Sequence, residues 1–256
     1  MQIVSLTTDY GTKDYYVAEL KASILSRRDD LNIIDISHNI DRFDIVQAAF
    51  FLGNTISVFA PSSIHVVAVN CYYKRKSEFI VFKKNNQYFV GPNNGVFSLL
   101  FDDIDDTQVF LIDLPEAGSN INIIIAHAVA YLSHGLPIEE IGPVVADFNK
   151  KLVIQPVVTS NQIRASVIHI DHFENVIINL KKEAFEKARN NRRFQLYYKP
   201  NDPITFLSNG YSDVSIGDPV AFFNSSGYLE IALNLDKASS MLNMQKNEMI
   251  QINFYE

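Results

Sequence analysis

The sequence places an acid, Asp9, two residues after the end of a mostly apolar and β-branched segment, 3–7, and directly before the turn Tyr10-Gly11. In open α/β sheets the carboxyl ends of the strands line the ligand crevice. A carboxylate at such a position can accept two hydrogen bonds from the ribose diol of a nucleoside. The same spacing also suits an Asp that caps a helix or closes a turn, so both roles stay open for Asp9.

Other reactive residues form no recognisable constellation. The single cysteine, Cys71, excludes an internal disulfide, and no Cys/His cluster of the kind that binds zinc occurs. No glycine-rich phosphate loop is present. The six histidines share no catalytic spacing, and each is best interpreted as a structural residue: 38, 65, 127, 134, 169 and 172. The residues alone therefore predict a ligand-binding α/β protein without a metal.

The elements that must position Asp9 follow from hydrophobic periodicity. In the first half, strands alternate with helices, which predicts a mixed sheet flanked by helices. The expected strands are 3–7, 33–36, 64–69, 79–82 and 87–90, and the expected helices are 14–27 with Asp14 as its cap, 44–59 and 121–132.

The pattern changes to mostly strands near residue 150. This change predicts an α/β N-terminal domain, 1–150, followed by a small all-β, barrel-like C-terminal domain, 151–256. The expected strands there are 152–158, 162–170, 175–180, 219–223 and 228–233, with one helix at about 182–190.

Charge and hydropathy exclude several classes of partner. The net charge of −7 repels phosphate backbones, and the basic runs are short, so no nucleic-acid partner is expected. The N-terminus has no signal-peptide pattern and no apolar stretch approaches 18 residues. These features predict a cytoplasmic protein with no membrane partner.

Several motifs together resemble one known family. Residues 8–21, TDYGTKDYYVAELK, are similar to the opening pattern TD(F/L)GTxDxxVxxxK of the S-adenosylmethionine hydroxide adenosyltransferase, chlorinase and fluorinase family. Further segments match the family in the same order along the chain: 34–38, IDISH; 89–96, FVGPNNGV; 170–175, IDHFEN; and 224–232, NSSGYLEIA.

The resemblance implies a homotrimer in which the N-domain of one subunit and the C-domain of the next hold the ligand. The ligand or substrate would be S-adenosylmethionine or its adenosine part, with no further cofactor. By position, Asp9 would bind the ribose hydroxyls and Phe43 would pack beside the ribose and the sulfonium. Asp171 and Ser225 would hold the methionine end, with Ser226 as a further ligand-binding candidate. The adenine or its surroundings would contact Phe173, Asn175 and Tyr211.

The chain departs from the family at its catalytic triad. Family hydrolases carry an Asp, an Arg and a His at positions that here hold Asn70, Ser77 and Asn120. An Asn can orient a water but cannot take its proton at neutral pH, although Lys74 or Arg75 could replace the missing Arg. Glu174 replaces a family glycine beside the expected adenine site.

Two functions stay open after these departures. One is hydrolysis of S-adenosylmethionine to adenosine and methionine, and the other is a non-catalytic nucleoside-binding or scaffold protein. Halogenation is disfavoured, since Tyr73 and Ile121 replace the small lining that the resemblance implies around a halide.

Overall fold

A computed structural model describes residues 1–114, 118, 120–152, 154–199 and 202–256. The chain divides into two compact units, Met1–Val153 and Ile154–Glu256. The change from mixed α/β to antiparallel β structure coincides with this division, three residues beyond the position expected from the sequence pattern.

The first unit contains a six-stranded mixed sheet. Its strands are β1 (Ile3–Thr8), β2 (Asn32–Ser37), β3 (Ile64–Ala68), β4 (Phe79–Lys84), β5 (Gln87–Pro92) and β6 (Phe110–Leu111), in the order β2-β1-β3-β5-β4-β6. Strand β1 runs parallel to both β2 and β3, whereas β4 is antiparallel to β5 and β6. Because β1 and β3 are parallel neighbours, their carboxyl ends meet at the same edge of the sheet.

Helices cover both faces of this sheet. They are α1 (Tyr16–Leu25), α2 (Ile45–Gly53), α3 (Val96–Leu100) and α4 (Ile121–Ser133). Val66 on β3 packs in a core with α1 and α4, and its neighbour Val67 packs in a second core with α2 and α3. Successive side chains of a strand point to opposite faces, so a strand buried on both faces is mostly apolar. Strand β3 is buried along its whole length, and His65 is its one polar residue.

Two of the predicted helices are shorter than expected. Helix α1 begins at Tyr16, and the residue at its cap position is Tyr15, so Asp14 does not cap it. Asp44 does cap α2, but the regular helix ends at Gly53, and a separate 3₁₀ turn spans Ile56–Val58.

The second unit is a nearly closed antiparallel barrel, which confirms the predicted fold class. Its strands are β7 (Val157–Val158), β8 (Gln162–Ile170), β9 (Val176–Lys181), β10 (Arg193–Tyr197), β11 (Pro203–Ile204), β12 (Pro219–Phe223), β13 (Tyr228–Leu233) and β14 (Met249–Tyr255). The order is β11-β10-β14-β8-β9-β13-β12, with β7 on β8. The Ser208 N–H, after β11, donates to the Ala221 carbonyl of β12 at 2.8 Å and helps to close the sheet. Two helices, α5 (Lys182–Arg189) and α6 (Ala238–Leu242), complete the unit.

Candidate functional site

Asp9 lies at the carboxyl edge of the first sheet, directly after β1. One oxygen of its carboxylate, Oδ2, accepts the backbone N–H of Phe43 at 3.0 Å and that of Asn70 at 3.1 Å. Within the described parts of the chain, no group donates to the other oxygen, Oδ1. Asp9 therefore organises two loops and still presents an acceptor.

Both residues that donate to Asp9 have left-handed backbone conformations. The φ angle is 67° at Phe43 and 50° at Asn70. A bulky residue such as Phe seldom adopts positive φ, and such strain persists only where the surroundings enforce it. Here the Asp9 carboxylate and the cap of α2 by the adjacent Asp44 enforce it.

A buried layer supports the loops around Asp9. The Thr8 hydroxyl lies 2.9 Å from His38 Nδ1, and the Asn94 side-chain amide donates to the carbonyls of Val69 and Asn70 at 3.0 and 3.2 Å. His38 is thus a structural residue, as predicted. Burial raises the pKa of both Tyr10 and Cys71, which interact beside Asp9, so the thiol is not a nucleophile at neutral pH.

The three positions that the resemblance matched to the family's triad, Asn70, Ser77 and Asn120, take part in structural contacts in the first unit. Asn120 is the N-cap of α4, and its Oδ1 accepts the Ile123 N–H at 3.2 Å. The Ser77 hydroxyl donates to the Lys74 carbonyl at 3.1 Å. Only Asn70 is held directly by Asp9, through its backbone. The candidate replacement cation Lys74 forms an ion pair with Glu78 at 3.1 Å.

The second unit carries its own group of candidate residues, beginning with a tight turn after β8. Asp171 Oδ1 accepts the backbone N–H of Phe173 at 2.9 Å and that of Asn175 at 2.8 Å. The Asn175 side-chain amide donates to Asp171 Oδ2 at 3.1 Å. Asp171 therefore fixes the backbone of the turn and accepts one of the two hydrogen bonds that hold the Asn175 side-chain amide.

A hydrogen-bonded relay continues from Asn175 into the barrel. Asn175 Nδ2 donates to the Tyr211 hydroxyl at 3.3 Å, and that hydroxyl donates to Glu230 Oε1 at 2.6 Å. Asn224 Nδ2 donates to Glu230 Oε2 at 3.1 Å. Burial and the Glu230 hydrogen bond raise the pKa of Tyr211, so it remains protonated.

Glu230 is a site residue to which the sequence analysis gave no role. It lies inside the segment NSSGYLEIA, and its side chain is only 4% exposed. A carboxylate at an otherwise inward-facing strand position is the signal that could have identified it.

Ser225 and Ser226 lie at the tip of the hairpin that joins β12 to β13. Asn224 Oδ1 accepts the backbone N–H groups of Ser226 and Tyr228, both at 3.1 Å, and closes this tip. Tyr228 pairs with Lys181 at the end of β9, whereas Asp171 and Asn175 precede the start of β9. A hydrogen-bonded path leads from the hairpin tip to the Asp171 turn through Asn224, Glu230, Tyr211 and Asn175.

Glu174 has a specific structural role in place of the family glycine. Its φ is 66°, a backbone conformation that glycine adopts without strain. Its carboxylate interacts with the Ser240 hydroxyl and with Lys237 Nζ at 3.3 Å, and the Ser240 hydrogen bond lowers the pKa of Glu174. The acidic side chain is therefore held against the start of α6.

The aromatic candidates are surface residues rather than core residues. Phe43 is 68% exposed and Phe173 is 73% exposed. The backbone N–H of each nevertheless donates to an aspartate carboxylate, so the backbone that carries each ring is held in place. Tyr211 is 43% exposed and packs edge-on against Phe222 at 4.9 Å between ring centroids. Exposed aromatic faces suit stacking on a base or contact with a sulfonium cation.

The described residues contain no cluster of three side chains that could bind a metal ion. No helix in the described part of the chain is long and apolar enough to cross a membrane. The candidate residues of both units carry carboxylates, amides and aromatic rings, and the first unit places its carboxylate at strand ends, where α/β proteins commonly bind small polar ligands.

Comparison with known proteins identifies the particular family. Residues 4–142 match the S-adenosylmethionine hydroxide adenosyltransferase N-terminal domain, and residues 165–251 match the C-terminal domain of the same family. The chain therefore belongs to the S-adenosylmethionine hydroxide adenosyltransferase family, as its motifs predicted.

Individual relatives agree with this assignment over the whole chain. An (R)-S-adenosyl-L-methionine hydrolase of Methanocaldococcus jannaschii is 28% identical, over 98% of this chain and 96% of its own. A fluorinase of Actinopolyspora mzabensis is 22% identical, over 98% and 96% respectively. The crystal structure of an uncharacterized conserved protein from Thermotoga maritima is similar with a TM-score of 0.84 and 27% identity, covering 98% of this chain and all of the other.

Proposed function

We propose that this protein binds the adenosine part of S-adenosylmethionine and hydrolyses this substrate slowly to adenosine and methionine. The observation that carries the proposal is the geometry of Asp9. Its Oδ2 is used by two backbone N–H groups, while its Oδ1 is an acceptor at the carboxyl edge of parallel strands. That arrangement suits a ligand with hydroxyl donors, such as a ribose.

The remaining contacts follow the family pattern. Phe43 would contact the ribose and sulfonium region, Asp171 with Ser225 and Ser226 the methionine end, and Phe173, Asn175 and Tyr211 the adenine. The exposed rings and the hydrogen-bonded amide support these roles. We further propose that the protein acts in the cytoplasm without a metal or an additional cofactor.

In the proposed reaction, water attacks the ribose 5′ carbon and the carbon–sulfur bond breaks. Methionine leaves with the bonding electron pair, and the attacking water loses a proton to solvent. The sulfonium is already a good leaving group, so the protein contributes position and desolvation. With Asn70, Ser77 and Asn120 no general base stands at the triad positions, and general acid–base catalysis typically contributes about 10²- to 10⁴-fold.

The structural roles of these positions favour a second candidate, a non-catalytic nucleoside-binding protein. The Asn120 side chain caps α4, and the Ser77 hydroxyl binds a nearby carbonyl. A scaffold of this kind would keep the Asp9 contacts and lose turnover.

Calorimetry and product analysis separate the two candidates. We expect adenosine and S-adenosylmethionine to bind, and methionine to form at least about 100-fold more slowly than with a relative that carries the Asp, Arg and His. Binding with no methionine after prolonged incubation would establish the second candidate. Absence of binding at millimolar nucleoside would overturn both.

The family resemblance also leads us to propose a homotrimer of about 87 kDa, built from the 29.0 kDa chain. Light scattering measures this mass directly, and a monomer at micromolar concentration would contradict the proposal.

A further inference from the structure

The orientation of the Asn175 side chain is fixed by chemistry at both of its contacts. Asp171 is a carboxylate that only accepts hydrogen bonds, so the Asn175 atom 3.1 Å from Asp171 Oδ2 must be the nitrogen. The same nitrogen lies 3.3 Å from the Tyr211 hydroxyl. One amide nitrogen therefore uses both of its hydrogens inside the protein.

At the other end of the relay, Glu230 imposes the same donor-to-acceptor direction on these hydrogen bonds. Its carboxylate is 4% exposed and accepts from the Tyr211 hydroxyl at 2.6 Å. Because the Tyr211 hydroxyl donates its single hydrogen to Glu230, its oxygen must accept the hydrogen bond from Asn175. The relay from Asn175 through Tyr211 to Glu230 thus runs in one direction.

The Asn175 carbonyl oxygen, Oδ1, is the polar atom of this side chain that the relay does not use, on a residue that is 5% exposed. Within the described residues, nothing donates to this oxygen. We infer that Glu230, acting through Tyr211, is a specificity-determining positioning residue that makes Asn175 select a hydrogen-bond donor on the ligand. This inference rests on the proposed function, in which the ligand contains adenosine.

The selection distinguishes two nucleosides of nearly equal size. Adenosine carries an exocyclic amine, which donates, whereas inosine carries a carbonyl oxygen at the same ring position, which only accepts. A carbonyl facing Asn175 Oδ1 would leave two acceptors in contact without a hydrogen. We expect adenosine to bind at least about 10-fold more tightly than inosine.

Calorimetry with both nucleosides tests the relay. Tyr211→Phe keeps the ring and removes the hydroxyl, and Glu230→Gln keeps the size of the side chain and offers a donor in place of one acceptor. We expect each variant to lower the adenosine-to-inosine affinity ratio by about 3-fold or more. The double variant should lower it no further than Tyr211→Phe alone, because Glu230 acts through Tyr211.

The matched control is Tyr198→Phe. The Tyr198 hydroxyl also donates to a carboxylate, Asp202, at 2.7 Å in the same unit, and no hydrogen bond among the described residues connects this hydroxyl to Asn175. Its removal should leave the affinity ratio unchanged. A melting curve for each variant separates loss of fold from loss of selectivity.

The outcomes distinguish the two proposals. If the wild-type protein binds neither nucleoside, the proposed function fails and the inference fails with it. If it binds adenosine but the ratio is near one, or the ratio is unchanged in both variants, the inference is wrong and the proposed function stands. If Glu230 had only a structural role, Glu230→Gln would weaken the binding of adenosine and of inosine equally.

Discussion

Asp9 in the first unit and Asp171 in the second both follow a β-strand, and both accept hydrogen bonds from backbone N–H groups. They differ in how far along the sequence the donor residues lie. Asp9 binds residues that are 34 and 61 positions away. Asp171 binds residues two and four positions away and then connects to side chains through Asn175. The first arrangement joins separate loops, and the second closes a single turn.

This difference determines which substitutions each region tolerates. Asp9 contacts only the backbone of Asn70, so the side chain at that position can change while the loop keeps its place. In the second unit, Asn175, Tyr211 and Glu230 are each connected through side-chain atoms, and a change at any one breaks the relay. An asparagine at position 70 is therefore compatible with an intact fold.

The largest effect is expected for Asp9→Ala. The change removes a ligand acceptor and leaves two backbone N–H groups without a partner, so adenosine affinity should fall by about 30-fold or more and Tm by about 5 °C or more. Asp14→Ala removes an exposed acid nearby and should change neither quantity. An Asp9→Ala protein with unaltered Tm would show that the backbone contacts contribute little.

Asn175→Asp tests the side-chain relay of the second unit. The new carboxylate would lie about 3 Å from Asp171, and two like charges at that distance do not both remain ionised. We expect a loss of stability at pH 7 that is recovered as the pH is lowered and the pair takes up a proton. Thermal melts between pH 5 and 8 measure this trend, and a pH-independent difference from wild type would contradict it.

Acid should weaken the first unit through His65. This residue is fully buried, its Nδ1 lies 2.7 Å from the Ser5 hydroxyl, and burial lowers its pKa from 6.5 to about 4. Because the folded state disfavours the charged form, stability is complete above pH 6.5 and falls as the pH drops from 6.5 towards 4, by on the order of 3 kcal/mol.

Hydrogen exchange measured at several pH values checks the prediction for His65. Amides of β1 and β3 should lose protection over this range, and His65→Gln should remove the dependence. An unchanged pH dependence in His65→Gln would assign the acid sensitivity to another group.

The smallest effect is expected for Asn70→Gly. Glycine adopts positive φ without strain and keeps the N–H that donates to Asp9, so stability should change by no more than about 1 kcal/mol and adenosine affinity by less than about 2-fold. The matched change Asn175→Gly, which interrupts the relay, should lower the affinity for adenosine by more than Asn70→Gly does. Equal effects of the two glycine variants would remove the distinction between the regions.

The sequence predicted most of the elements around both groups of residues. Apolar, β-branched runs identified β1, β3, β8, β12 and β13, because buried strands leave a strong local signal. Strands β10 and β14 were not predicted, and neither was the short helix α3, where Asn93 to Gly95 indicated only a turn. In β14 apolar and polar residues alternate up to an aromatic end, a pattern of period two that is typical of a strand buried on one face.

The candidate site was predictable only where it is local. The segment 170–175 folds into its turn through contacts within six residues, so its motif is visible in the sequence. The contacts of Asp9 with Phe43 and Asn70 depend on which strands are neighbours, and the role of Glu230 depends on a barrel that brings Tyr211 to it. Such long-range contacts leave no spacing that a single sequence reveals.

The left-handed backbone at Glu174 has a consequence for how this sequence could have changed over time. A glycine there can be replaced at low cost only once something holds the new side chain, and here Lys237 and Ser240 do so. The order of substitutions then matters: Lys237 and Ser240 are tolerable before Glu174, whereas Glu174 alone brings strain without compensation. Reversion is constrained in the same way, since removing Lys237 or Ser240 first exposes that strain, so the three positions are expected to vary together among close relatives.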